Sequence, residues 1–345
     1  MTSAPIVCPL CPMHCDDVSA TQLIAGQTGC AIADKRMRAI LRNSPTLSDG
    51  DEWERCRRWV ADADKIVISG YAIDFETSRA ICEFARATGA SVQMTGSNAM
   101  ALDQLAREGS FTATLGELSA RETSVLVIGD VAAHWPRMQR RLHERQPIVR
   151  WPDSAALPGR IAALRQQLSG RFTPDPSDDP QVATAVDLLR TASYLIVIVA
   201  PLQESIARTP VIWSSLLGLL RERNKVSRAA ILSFDPSITV RSVLAARSDP
   251  PPWRYPTTKG GLRIEFSPFG EREPCSAERS IIIGMAARTR NGDECLLSAS
   301  VPGLHHAGMV IRGDGSITLP LQACLNQESP LPTPAAQLRR LLSTV

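Results

Sequence analysis

The chain reads as an α/β protein: two Rossmann-like, doubly wound lobes behind a small cysteine-rich N-terminal segment. Three observations predict this. Short apolar runs end at glycine, Lys65–Ser69 before Gly70 and Ser124–Ile128 before Gly129, as strands buried on both faces do. Stretches with apolar residues at helical spacing lie between such runs, Phe75–Thr88 being one that stops just before Gly89. Alternation of strand and helix demands crossover connections, hence parallel sheets with helices on both faces.

Taken in order, residues 1–45 are rich in cysteine and poor in hydrophobic periodicity, and Asn43–Asp51 is a turn-rich connector. Lys65–Ser69 is a strand, Phe75–Thr88 a helix, Ser91–Thr95 a strand and Ala101–Arg107 a helix. Ser124–Ile128 is a strand, Trp135–Arg145 a basic helix and Pro147–Arg150 a short strand. Thr173–Pro180, dense in Pro and Asp, continues neither a helix nor a central strand. It divides a first lobe, 46–172, from a second, 181–345. In the second lobe Val182–Ala192, Ser205–Arg223 and Ser237–Arg247 are helical, and Tyr194–Val199, Ala229–Phe234 and Arg279–Ile283 are strands. Glu294–Pro302 and Met309–Ile311 are strands around a Gly-rich turn, and Thr333 caps a last helix with Pro334 at its first position. The prolines at 250–252 and 256 mark an irregular loop.

Composition narrows the function classes. Of 345 residues 44 % are hydrophobic and 21 % charged, the balance of a globular protein. A net charge of +3, spread as scattered arginines, implies neither nucleic acid nor a membrane as a partner. The longest apolar runs, Tyr194–Leu202 and Ile281–Ala287, fall far short of the roughly 20 residues of a membrane span. No secretory signal is legible, so a cytoplasmic location is expected. In that reducing setting nine cysteines argue for metal ligands or buried thiols over disulfides.

Cys8, Cys11, Cys15 and Cys30 form the pattern C-x2-C-x3-C-x14-C. Three thiolates close together wrap one side of a 4Fe–4S cluster and a fourth closes it; zinc accepts the same donors, and four buried thiols without metal remain a third reading. Phosphate loops, dinucleotide fingerprints and nucleophile elbows are absent. His305 and His306 read as an exposed pair beside a turn. His134-Trp135-Pro136-Arg137 follows a strand at the sheet edge where α/β proteins bind ligands, and its helix start suits an anion or simply a capped helix with a packed Trp. Cys56, Cys82, Cys275, Cys295 and Cys324 stand isolated, with Cys82 on an apolar helix face, and no catalytic role is assigned to them.

Several segments together resemble a family. Cys8-Pro-Leu-Cys11-Pro-Met-His-Cys15-Asp16-Asp17, followed by Gly29-Cys30, is similar to the start of the B-type subunit of formylmethanofuran dehydrogenase, a compact branch of the molybdopterin oxidoreductases. Phe111–Glu117, Val127–Asp130, His134–Arg137, Val301–Gly303, Gly308–Gly315 and Leu331–Thr333 resemble later family segments in the same order. The resemblance implies lobes of the molybdopterin-oxidoreductase type. One departure matters. The family's redox members ligate molybdenum or tungsten through a cysteine or selenocysteine, in the stretch matching Thr95–Met100; no cysteine occurs between Cys82 and Cys275. That implies a degenerate pterin region (Thr95, Ser97, Asn98, His134, Arg137) and no molybdopterin. In this the chain resembles the B-type member of bacterial formyltransferase/hydrolase complexes, which serve tetrahydromethanopterin- and methylofuran-linked oxidation of formaldehyde to formate in methylotrophs. The resemblance implies a non-catalytic scaffold whose partners are a formyl hydrolase, a formyltransferase and a further structural subunit. The competing expectations are a redox-active molybdopterin or tungstopterin subunit carrying a 4Fe–4S cluster, and a stand-alone metal module that senses redox state.

Overall fold

The apolar runs form strands whose partners lie far along the chain. The structure, a computed structural model, describes residues 4–42, 50–70, 74–93, 111–142, 146–168, 179–202, 209–246, 253–254, 261–269, 279–285, 293–325 and 330–343. The N-terminal block contains β1 (Pro5–Ile6), β2 (Val18–Ser19), α1 (Ala20–Ile24), α2 (Ala31–Arg42) and α3 (Gly50–Ala61), followed by β3 (Ile66–Gly70), α4 (Phe75–Thr88) and β4 (Ser91–Gln93). Next come α5 (Leu115–Ala120), β5 (Ser124–Ile128), α6 (Val131–His134), a 3-10 segment at Pro136–Arg141, β6 (Ile148–Trp151) and α7 (Leu157–Leu168). α8 (Pro180–Thr191), β7 (Tyr194–Val199), α9 (Thr209–Arg223) and β8 (Arg228–Leu232) continue the alternation. The remainder is α10 (Ile238–Ala245), β9 (Trp253–Arg254), β10 (Leu262–Ser267), β11 (Arg279–Gly284), β12 (Glu294–Ser298), β13 (Gly308–Ile311), β14 (Thr318–Leu321) and α11 (Pro334–Leu342).

Among the described strands β1–β2 and β13–β14 form separate antiparallel pairs, and two sheets are all-parallel, as the alternation requires. One has the order β12-β11-β10-β3-β4-β9, the other β6-β5-β7-β8. The chain divides accordingly into two units, one of 1–95, 236–313 and 317–345, the other of 96–235 with 314–316. This corrects the expected division. The boundary at 173–180 falls inside the second unit, because β7, beyond it, pairs with β5, before it, in register Ser124↔Leu195 to Ile128↔Val199. The Pro- and Asp-rich stretch belongs to a crossover connection. Its last two residues start α8, with Asp179 accepting from the Gln181 N–H and Pro180 at the first position, where a missing N–H costs nothing.

Within the second unit the sheet is apolar throughout. All six residues of β7 are buried, and Trp151, Ile161, Leu164, Trp213, Leu216 and Leu220 pack around it. Each such side chain contributes about 1.5–3 kcal/mol through burial. α9 begins at Thr209 and α10 ends at Ala245; the expected starts and ends at 205 and 247, and the expected helix Ala101–Arg107, lie outside the described residues.

The first unit is built differently. Its central strand, β10, was not expected from the sequence, because Arg263 and Glu265 interrupt the apolar pattern. All six of its residues are nonetheless buried. Arg263 Nε donates to Ser69 Oγ on β3 at 2.6 Å and lies 3.6 Å from Glu265 Oε2. The backbone is tight at both neighbours of this strand. A Cβ on Gly70 (φ 97°) would stand 2.3 Å from the Phe266 carbonyl oxygen, and one on Gly284 (φ 153°) 2.2 Å from that of Ser267. Only glycine permits that approach at these φ values. The chain runs from β3 to β4 on one side, while β10 joins on the other, so the strand order reverses between β3 and β10.

The expected basic helix Trp135–Arg145 is also corrected. α6 ends at His134 after one turn, with Trp135 as its C-cap, and Pro136, lacking an N–H, opens a 3-10 segment instead.

Candidate functional site

The cysteine quartet lies in the first unit. β1 and β2 pair antiparallel, and the loop between them carries Cys8, Cys11 and Cys15. The Cys8 N–H donates to the Cys15 carbonyl at 2.8 Å and the His14 N–H to that of Cys11 at 3.1 Å, so the loop folds into a knuckle. His14 takes a positive φ of 43°, uncommon for a residue with a side chain. Its ring Nδ1 stands 3.1 Å from the Cys8 carbonyl oxygen, which ties the ring to the loop. Cys30 arrives at the start of α2, where its carbonyl accepts from the Asp34 N–H at 2.9 Å. Thr28 Oγ1 accepts the Cys30 N–H at 3.1 Å and donates to Asp34 Oδ1 at 2.7 Å, which fixes the entry to the helix. Segments late in the chain close over the knuckle. The Gly313 N–H donates to the Pro12 carbonyl at 2.8 Å, and Arg312 pairs with Asp16 at 2.9 Å.

All four thiols are buried. Burial pushes the Cys8 thiol well up, and the neighbouring Cys11, Cys15 and Cys30 add to it, so the four share one electrostatic environment. Cys11 is pushed up by burial and by Cys30. The backbone N–H groups of Leu10, toward Cys8, and of Met13 and His14, toward Cys11, pull the other way, with Arg36 adding a nearby positive charge at Cys11. Donors of this kind stabilise a thiolate, and burial outweighs them unless a cation joins the site. The donor chemistry suits a soft metal. The placement does not: among the described residues no group of three or more His, Cys, Asp or Glu side chains is arranged to hold a metal ion. The four cysteines are buried in one electrostatic neighbourhood.

The second expected region separates into two parts. Thr95, Ser97 and Asn98 lie outside the described residues. His134 and Arg137 lie in the second unit, beyond the carboxyl end of β5. His134 lines a cavity of about 600 Å³ with Gly129, Asp130, Arg150, Trp151 and Asp153. Arg137 is buried, and Trp135 packs edge-on against Phe234 with ring centroids 4.9 Å apart. The helix start is no anion site. Asp130 Oδ1 already accepts the Ala133 N–H at 2.9 Å, so a carboxylate occupies that turn. Burial lowers the His134 pKa against the opposing pull of Asp130. The packed-Trp reading of this segment is the one the geometry supports.

The histidine pair in the first unit is also corrected: it is half-buried, not exposed. His305 Nδ1 accepts the Val301 N–H at 3.0 Å, and Ser300 Oγ lies 2.9 Å from His306 Nδ1. Cys82 is in the core as expected. Cys56 and Cys295, read as isolated, are both buried on elements joined by a contact of Arg55 Nε with Cys295 Sγ at 2.8 Å. No local signal could have joined these elements, since they come from opposite ends of the chain.

These features define a class: a mixed α/β protein of two parallel-sheet units, one largely inserted in the sequence of the other, with a cysteine knuckle at the N-terminus of the outer unit. No family model matches the sequence, and no curated protein matches it. Among solved structures the chain is similar to a chain of the formyltransferase/hydrolase complex from Methylorubrum extorquens, crystallised in complex with methylofuran. The TM-score is 0.61 at 15 % identity, over 86 % of this chain and 97 % of that one. At this identity the likeness is one of fold. No described helix is long and apolar enough to cross a membrane.

Proposed function

We propose that the chain is a non-catalytic scaffolding subunit of a formyltransferase/hydrolase complex in one-carbon metabolism, with a formyl hydrolase, a formyltransferase and a further structural subunit as partners. The observation that carries this reading is the likeness of fold to a chain of such a complex, over 97 % of that chain. In the described residues the four N-terminal thiols lie in a buried knuckle held by Arg312 and Gly313. In this role the chain contributes placement. A scaffold that keeps transferase and hydrolase sites within reach of one tethered carrier gives the shuttled formyl group an effective concentration on the order of millimolar.

The test is purification of the tagged chain, without oxygen, from the cells that make it, with metal analysis and identification of what accompanies it. Co-purifying subunits that release formate from a formylated carrier, with no molybdenum or tungsten, are the expected result. Molybdenum or tungsten near one per chain would overturn the scaffold and restore a pterin-dependent oxidoreductase. About one zinc, or about four irons, per chain would instead give the knuckle a metal that holds the block folded.

A further inference from the structure

Among the described strands β12 ends the six-stranded sheet, with β11 on its inner side. The Ser280 N–H donates to the Asp293 carbonyl at 2.9 Å and the Ala299 N–H to the Gly284 carbonyl at 3.2 Å. Residues 293, 295, 297 and 299 therefore turn their backbone groups toward β11. Glu294, Leu296 and Ser298 turn theirs outward, where a further strand would pair.

Side chains take that place. Arg55 Nη2 donates to the Glu294 carbonyl at 3.2 Å, and Glu52 Oε1 accepts the Leu296 N–H at 3.3 Å. The two residues stand one turn apart on α3. A strand added in parallel would meet that carbonyl and that N–H with the N–H and carbonyl of a single residue. The helix pair supplies the same donor and the same acceptor. Gln337 Nε2, on α11, donates to the Ser298 carbonyl at 2.7 Å and closes the next position.

The three side chains are held where they act. Glu52 and Gln337 are buried. Arg55 is fixed from its other side, with Nε donating to Cys295 Sγ at 2.8 Å and the guanidinium 5.5 Å from the Trp59 ring centroid. Arg340 of α11 lies 4.0 Å over the ring of Trp53 on α3, which links the two helices. A carboxylate and a carboxamide are costly on buried helix faces, where apolar residues of similar size need less desolvation. What the polar groups add is closure of an edge that templates strand pairing. The second sheet reaches the same end with backbone. Beside β8 the Ile231 carbonyl accepts the Ala113 N–H at 2.7 Å, and the Ile231 N–H donates to the Phe111 carbonyl at 2.6 Å.

We propose that Glu52, Arg55 and Gln337 form an edge guard that bars a second copy of this chain from adding a strand to β12. The strand they cover carries Cys295, Leu296 and Leu297 and no proline, so it is suited to pair with its own copy about a two-fold axis once uncovered. The guard leaves the docking of partners to other surfaces, and the inference is independent of the scaffold role.

The experiment uses the full chain together with whatever accompanies it from its cells. Light scattering behind size exclusion gives the mass over an about tenfold range of concentration. Glu52→Leu with Arg55→Met removes the acceptor and the donor while keeping bulk on the helix face. This double variant should rise to about twice the wild-type mass as concentration increases. Glu52→Gln with Arg55→Lys keeps an acceptor and a donor and should stay at the wild-type mass. Amide-resolved hydrogen exchange locates the contact. In the wild type the Leu296 amide should exchange at least about tenfold more slowly than an open edge amide. In the associated double variant it should be protected again, this time in step with concentration. A folded double variant at the wild-type mass would overturn the proposal, as would a doubled assembly that leaves the Leu296 amide open. Open-edge exchange at Leu296 in the wild type would overturn it even if no variant folds.

Discussion

His305 and His306 illustrate how burial sets the charge of a side chain. Burial lowers both pKa values; His306 lowers that of His305 further, while Asp74 pulls His306 the other way. The unfolded chain takes up these protons near the ordinary value of about 6.5. Below that pH the unfolded state binds more protons than the folded one, so stability falls as pH drops, and above it the pair contributes no pH dependence. Urea unfolding midpoints should therefore fall between pH 7.5 and 5.5, and His305→Gln should flatten that slope. An unchanged slope would show that the ring does not titrate in this window. At Cys11 the expectation concerns assembly. Cys11→Ser replaces a buried sulfur inside the knuckle, beside Cys30 and Arg36, by a smaller and more polar hydroxyl. Recovery of the intact complex should fall while turnover per recovered complex stays the same, measured by size-exclusion yield and formate release. Normal recovery with lost turnover would place the knuckle in the chemistry.

At the scale of elements, α4 was legible at both ends. Asp74 accepts the Thr77 N–H at 2.9 Å as N-cap, and Gly89 takes the left-handed conformation (φ 69°) that ends the helix. A Cβ at Gly89 meets nothing within 4 Å. Gly89→Ala should therefore cost only the backbone preference, about 1 kcal/mol. Gly70→Ala should cost several times more, because its Cβ would meet the Phe266 carbonyl at 2.3 Å. Chemical denaturation of the two variants tests the ratio; equal costs would contradict the close approach of β3 to β10. β10 itself escaped sequence reading because a buried ion pair breaks the apolar run that marks a parallel strand. α5 escaped for another reason. It is a single short helix whose Thr114/Glu117 capping box, with Glu117 N to Thr114 Oγ1 at 3.0 Å, reads in sequence as a turn.

For the whole molecule the consequence is modular. The four strands of the second sheet lie between residues 124 and 232, and its core cluster lies within the same stretch. A fragment of residues 96–235 should fold alone, with a cooperative thermal transition and helical circular dichroism. A fragment cut at the expected boundary, 1–172, carries β5 and β6 without β7, and β3 and β4 without β10, and should not fold cooperatively. Cooperative folding of 1–172 would overturn the interleaved division.

The local parts of this protein are written in its sequence. Strand and helix follow from periodicity, the end of α4 from Gly89, the start of α11 from Thr333, and the grouping of the N-terminal cysteines from their spacing, because each is a local pattern in the sequence. Which strands share a sheet was decided by tertiary structure. Any fully apolar strand pairs as well with one parallel neighbour as with another, and the choice rests on how crossover helices pack. The Arg55–Cys295 contact spans 240 positions and the Arg263–Ser69 contact 194. Contacts created across such distances, a guanidinium against a buried sulfur or a buried ion pair within a sheet, exist only once the chain has closed on itself.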